Sequence, residues 1–341
     1  MVRRNRLLMM FLALMILFLA ACGNSEDEKQ GETENQNNAS TQEESGSKTE
    51  EDSTASAEEV SFEVNQAPKD QGDLEVALEG DIHVANKGVS VKGTTNLLPE
   101  SRLILIINSE DGVLIGTSDQ TLVKENGEFE LESSLPEKVE GVVHIEVKFE
   151  PANQSEEIKN HYLNELSGSF VRNYTDSGET YQKASFQKTV TLDEGEQTFA
   201  ITEPSWDIPD NYGEAAVWME PEIEKQEDYV VVKLNSNIID GTFIQARAHI
   251  PNYITSGIQG YSYINPDGSA VLYIEDPEKD SRIKNLTEYE IIITMDPSHS
   301  NNGSLVTEAY GESGQNLAGD YVDTENDSKV IRQTLTVTVD E

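Results

Sequence analysis

The chain reads as all-β, with two tandem β-sandwich domains behind a long polar segment. Three observations predict this: an internal repeat, runs of short strands separated by turn pairs, and almost no helical periodicity.

The repeat sets the domain count. Val91, Lys92, Asn96, Leu97 and Leu98 recur 141 residues later as Val232, Lys233, Asn237, Ile238 and Ile239. The same offset carries Asn126-Gly127 to Asp267-Gly268, and Pro136, Glu137 and Lys138 to Pro277, Glu278 and Lys279. Insertions then widen the spacing, so that Ile145, Val147 and Pro151 match Ile291, Ile293 and Pro297. Leu166, Gly168, Phe170 and Val171 likewise match Leu317, Gly319, Tyr321 and Val322. Turn residues and apolar residues stay aligned together, which a chance match would not do, so the pattern is a duplication. Two copies are too few for a solenoid, and each therefore needs a core of its own. The domains fall at 60–202 and 203–341.

Strands follow from local pattern. Residues 89–96 (VSVKGTTN) begin with alternation, and 102–108 (RLILIIN) form a β-branched run suited to a buried strand. Asn126-Gly127 and Asp267-Gly268 are expected as hairpin turns with positive φ at both positions. Residues 142–149 and 289–295 are the next strands, and 186–192 and 334–339 close each copy with apolar residues alternating with Thr. About seven strands in roughly 120 residues per copy suit a sandwich. The order VKGTTNL, apolar strand, NGEFEL, IEVKF within residues 89–149 resembles the immunoglobulin-like or transthyretin-like modules of bacterial surface lipoproteins. That resemblance covers about half of each copy and implies a sandwich without implying a ligand.

A long insertion precedes the last strand of both copies, at 152–184 and 298–330. In the first, Ser155, Glu156 and Glu157 open a segment that places Ile158, Tyr162, Leu163 and Leu166 on one helical face, and Gly168 stops it. In the second, Gly303, Gly311 and Gly314 predict a shorter helix or none. The insertion is expected to close an end or edge of the sandwich.

Residues 1–21 carry Arg3, Arg4 and Arg6 and then an apolar run from 7 to 21, the plan of a secretory signal. The run is about fifteen residues, short of the roughly twenty that span a bilayer. It ends in Leu19-Ala20-Ala21-Cys22, which resembles the lipobox of bacterial lipoproteins. The resemblance implies cleavage before Cys22, diacylglycerol on its sulfur and a place on the extracytoplasmic face of the cell membrane. Cys22 is the only cysteine in the sequence, so no intrachain disulfide can form. Residues 22–59 follow as the lipidated cysteine and an acidic linker of Glu, Asp, Ser, Thr, Asn and Gln, expected to remain disordered because it has almost nothing apolar to bury.

Charge excludes one class of partner. The sequence holds 64 acidic against 24 basic residues, a net of −40, and loss of the signal leaves 21 basic against 64 acidic, or −43. No basic cluster larger than a pair follows residue 22, so nucleic acid is not a partner.

Catalytic constellations are equally thin. His83, His144, His161, His249 and His299 stand singly, without the i, i+4 spacing of a helical zinc site. Gly311-Glu312-Ser313-Gly314 has Gln315 where a nucleophile elbow needs glycine. Asp323, Glu325 and Asp327, and also Asp296, Ser298, Ser300 and Asn302, alternate as calcium ligands could. Neither set has the glycine and distal glutamate of a hand-type loop, and a solvated acidic turn with no cofactor is the preferred reading. Trp206, Tyr212 and Trp218 fall in the stretch 203–222 with Pro204, Pro209 and Pro221, either packing the domain junction or offering a ligand or protein platform.

Together these features predict a lipid-anchored, non-catalytic binding or structural module whose partners are the membrane, through Cys22, and an envelope protein or the cell wall. The alternative is a cell-envelope polysaccharide or peptidoglycan hydrolase whose catalytic acids are hidden among so many others. A solute-binding lipoprotein would need helix-rich lobes, which the strand pattern opposes.

Overall fold

Period-two alternation of apolar and polar residues makes strands of nearly every regular segment in the computed structural model, which describes residues 66–339 apart from 111–116, 193–194, 227, 252, 254–256 and 326. The signal, Cys22 and the acidic linker lie outside the described residues. No described helix is long and apolar enough to cross a membrane.

The first copy contains β1 (Leu78–Ala85), β2 (Gly88–Thr95), β3 (Arg102–Ser109), β4 (Ser118–Leu122), β5 (Glu128–Ser134), β6 (Val142–Phe149), α1 (Glu156–Tyr162), β7 (Val171–Asp176), β8 (Glu179–Thr191) and β9 (Gln197–Ile201). They form two antiparallel sheets, β5-β2-β1-β9 and β4-β3-β6-β8-β7. The second copy repeats the plan with β10 (Met219–Gln226), β11 (Tyr229–Ser236), β12 (Phe243–His249), β13 (Gln259–Tyr263), β14 (Ala270–Glu275), β15 (Glu288–Met295), α2 (Ser304–Tyr310), β16 (Val322–Glu325) and β17 (Ser328–Thr338). Its sheets are β10-β11-β14 and β13-β12-β15-β17-β16. The protein is thus all-β, two sandwiches in tandem.

Each sandwich has one core between its sheets. Ile82, Val91 and Leu131 of one sheet meet Leu103, Leu105, Ile145 and Val147 of the other in the first copy. Val230, Val232 and Leu272 meet Ile244, Ile291 and Ile293 in the second. Full burial of each such side chain contributes roughly 1.5–3 kcal/mol. Among the described residues, no strand takes the place of β9 beside β10; Pro221 and the charged Glu220, Glu222 and Glu224 guard that edge.

The duplication extends to buried polar detail. Asn96 Oδ1 accepts the Ala77 N–H at 2.9 Å and its Nδ2 donates to the Glu75 carbonyl. Asn237 does the same for Trp218 N–H, at 2.9 Å, and the Ala216 carbonyl. The Tyr162 hydroxyl accepts the Leu98 N–H at 3.0 Å, and the Tyr310 hydroxyl accepts the Ile239 N–H at 3.2 Å. Burial pushes the Tyr310 phenol up to about 12. Each insertion therefore sends a buried tyrosine from its helix into the loop that leaves β2 or β11.

Three expectations need correction. The second copy does form a helix, and α2 has seven residues like α1. Its glycines flank it: Gly303 is the N-cap and Gly311, with φ 88°, the C-cap, where a glycine helps rather than hinders. Asn126-Gly127 and Asp267-Gly268 are not hairpin turns, for they join strands of opposite sheets, and only the glycines have positive φ. The Asn126 and Asp267 side chains instead accept the N–H two residues on, from Glu128 and Ser269. Paired left-handed positions occur at Asn86-Lys87 and Ser177-Gly178, which join β1 to β2 and β7 to β8. Lastly, the closing strands begin earlier than 186 and 334, because much of each insertion is a hairpin, β7–β8 or β16–β17, that widens the sheet.

The two sandwiches pack through unlike faces. Tyr229 and Val231 of β11 cover Val142 of β6, with Tyr273 packed against them. The Tyr273 ring lies 5.4 Å from that of His144. In the first copy the positions of Tyr229, Val231 and Tyr273 are held by Gly88, Ser90 and Glu132. Beyond this apolar patch lies a buried charged layer on the outer face of β6, β7 and β8. Lys183 Nζ is 2.6 Å from Glu146, Lys148 pairs with Glu150, and Arg172 reaches Asp240 of the second sandwich.

Candidate functional site

The outer face of the five-stranded sheet in the second sandwich carries a cluster of exposed aromatic rings beside a shallow cleft. In β13 the alternation Gln259, Tyr261, Tyr263 turns three side chains to one side, and Tyr261 is 65% and Tyr263 42% exposed. The inward position just before Tyr261 is Gly260, where a Cβ would meet the Tyr273 carbonyl oxygen at 1.9 Å. This glycine lets β13 lie against β14, and so fixes the height at which both tyrosines stand.

Phe243 is the hub of the aromatic group. It pairs with Tyr263 across β12 and β13, with ring centroids 5.7 Å apart, and lies 5.9 Å from Tyr261. His299 stacks on its other side at 4.3 Å and 17°. The loop after β15 holds that imidazole. Asp296 Oδ1 accepts from the backbone and hydroxyl of Ser298, Asn302 Nδ2 donates to the Asp296 carbonyl, and Asn302 Oδ1 accepts the Phe243 N–H. His299 Nδ1 accepts the Asn301 N–H at 3.2 Å. Burial pushes the Tyr263 phenol up.

Beside the rings runs a polar row. Tyr261, Gln245, Thr294 and Arg332 stand opposite one another on β13, β12, β15 and β17. Arg332 is drawn toward β16 by Asp323, at 2.7 Å, and by Glu325. A cleft of about 280 Å3 opens between Phe243 and His299 on one side and Glu325, Ser328 and Val330 on the other, with Gln245, Thr294 and Asp296 in its lining. It is small beside the roughly 300–1,000 Å3 of enclosed small-molecule pockets, and suits a ligand that lies along the sheet.

Of the residues singled out from sequence, Asp296, Ser298, His299 and Glu325 line this cleft, whereas Trp206, Tyr212 and Trp218 lie elsewhere. Trp206 Nε1 donates to the Ser169 carbonyl at 2.6 Å, Trp218 Nε1 donates to Asn211 Oδ1 at 3.0 Å, and the Tyr212 hydroxyl accepts the Asp240 N–H at 2.7 Å. All three are half-buried and fix the segment between the sandwiches. Asp323 and Glu325 share Arg332, whereas Asp327 forms the β16–β17 turn with φ 68°. Among the described residues, no three His, Cys, Asp or Glu side chains converge as metal ligands. The tyrosine pair was open to discovery, since Tyr-Ser-Tyr in a strand puts both rings on one face. Comparison with protein-family models gives no match, and neither does comparison with curated proteins.

The first copy offers no such surface. Where Phe243, Tyr261 and Tyr263 stand, it has Arg102, Gln120 and Leu122. The strongly shifted acids do not line the cleft. Burial pushes Asp240 up to about 6, against the pull of Arg172 and of the Asn173 N–H. For Glu146, burial is outweighed by the charge and hydrogen bond of Lys183 and by the charge of Lys148, and its carboxyl is held at about 2.

Proposed function

We propose that this protein is a non-catalytic binding module of the bacterial cell envelope, held by a lipid on Cys22 at the extracytoplasmic face of the membrane. The observation that carries the reading is the pair of exposed tyrosines beside a hydrogen-bonding row, on rigid strands, in one copy of a duplicated fold. Large aromatic side chains left in water on a sheet that its sister copy builds without them are kept for contact.

The alternative, an envelope hydrolase, needs a carboxyl of raised pKa in a cleft that reaches substrate. Asp240, which burial raises, faces Arg172 in the junction instead.

Two measurements test the proposal. Metabolic labelling with a fatty acid should mark the parent and leave Cys22→Ser unmarked. Residues 60–341, immobilised, should retain a component of purified envelope fractions, and Tyr261→Ala with Tyr263→Ala should lose it. Turnover of peptidoglycan or polysaccharide that vanishes on substitution of one carboxylate would replace this reading with the hydrolase.

A further inference from the structure

Resting on that reading, we propose that the outer face of β13, together with the cleft beside it, binds a neutral glycan chain, with sugar rings stacked on Tyr261 and Tyr263 and hydroxyls held by Gln245, Thr294 and Asp296.

Three features select this class. Residues two apart on a strand stand roughly 7 Å apart, so the tyrosines offer successive platforms, on the scale of adjacent units in a glycan. Sugars present apolar C–H faces to rings and hydroxyl edges to amides and carboxylates, and both kinds of partner occur here side by side. Such a pairing of an apolar face and a polar edge is what tyrosine at a wet interface serves best. A protein partner would want a contiguous apolar centre, whereas the surface beyond the rings turns polar at Gln245 and Thr294.

Charge removes the other polymers. Asp296 and Glu325 line the cleft, and Arg332 is shared by Asp323 and Glu325. A polyphosphate or polyuronate would meet these carboxylates with Arg247 of β12 as the exposed cation on the same face, in a protein whose acids far outnumber its bases. The neutral class spans wall-type N-acetylhexosamine chains and plain hexose chains, and the probes separate them.

The test is titration calorimetry of residues 60–341 with β-linked hexamers of N-acetylglucosamine, of glucose, and of galacturonic acid as the acidic control. Binding of one neutral hexamer is expected, weakened about tenfold by Tyr261→Ala and by Tyr263→Ala, with Tyr263→Trp retaining it. Unchanged melting of the variants shows that the loss is one of contact. Equal or tighter binding of the acidic hexamer overturns the inference. So does failure of every hexamer while envelope capture persists and still depends on the tyrosines, an outcome that leaves the binding-module reading intact. Loss of both hexamer binding and capture removes both.

Discussion

The guanidinium of Arg172, on β7 of the first sandwich, stands 3.7 Å from the carboxylate of Asp240, in the loop between β11 and β12 of the second, with both side chains less than a tenth exposed. Asp240 also accepts the Asn173 N–H at 2.5 Å. One acid thus ties the two copies together, and it does so at the expense of its own hydration.

That expense is readable in pH. With its folded pKa raised to about 6, above an ordinary value of 3.8, Asp240 binds its proton more tightly in the folded chain than in the unfolded one. Its contribution is therefore most favourable below pH 4, falls as pH rises through the window from about 4 to 6, and is constant above. The loss amounts to roughly 2–3 kcal/mol. Urea unfolding of the parent and of Asp240→Asn, compared from pH 4 to 8, should show a stability difference that changes across that window and is flat beyond it. A difference that does not vary with pH would refute the assignment.

Glu146 behaves in the opposite sense. Its folded pKa of about 2 lies below the usual 4.5, so its stabilisation is complete above pH 4.5 and is lost as pH falls toward 2. Glu146→Gln leaves the ammonium of Lys183, 13% exposed, with no counter-charge at 2.6 Å. At pH 7 the variant should be less stable by about 3 kcal/mol, and the deficit should shrink in acid. Denaturant midpoints at pH 7 and pH 3 check this.

The matched tyrosines allow a paired experiment. Tyr162→Phe and Tyr310→Phe each strip the acceptor from a backbone N–H, that of Leu98 or Ile239, beneath a helix. Each should cost about 1–3 kcal/mol, with similar losses in the two copies. Hydrogen exchange should locate the new opening in the loop after β2 or β11 respectively.

Gly260→Ala tests how the cleft is positioned. A Cβ there collides with the Tyr273 carbonyl, so β13 must move away from β14, at a cost of roughly 1–3 kcal/mol. The expected signs are a lower melting temperature and altered tyrosine fluorescence. An unchanged melting temperature would mean that the strand has room to spare.

Much of the fold was legible because its signals are local or repeated. Alternation at Val89-Ser90-Val91 and the β-branched run from Leu103 to Ile107 mark β2 and β3, and the 141-residue offset announced the second copy. What misled was context. Gly303 and Gly311 lower intrinsic helicity, yet they sit at the ends of α2, where that penalty does not apply. Asn126-Gly127 has the composition of a hairpin turn, but which strands it joins depends on pairings more than thirty residues away, Val91 with Leu131 among them. The site was missed for a related reason. Trp206 and Trp218 attract attention as the largest rings in the chain, and their indoles are spent on Ser169 and Asn211. One contact between the copies is written in the sequence itself: Val230-Val231-Val232 is apolar on both faces of a strand where the first copy has Val89-Ser90-Val91.

The unlike faces of the two copies have a consequence for how far the molecule can be dissected. Severed from its neighbour, the second sandwich would present Tyr229, Val231 and Tyr273 as a greasy wall, while the first would be left with Arg172 stripped of the Asp240 carboxylate. Gene duplication produced two bodies, and divergence has since fitted each of them with a surface that the other covers.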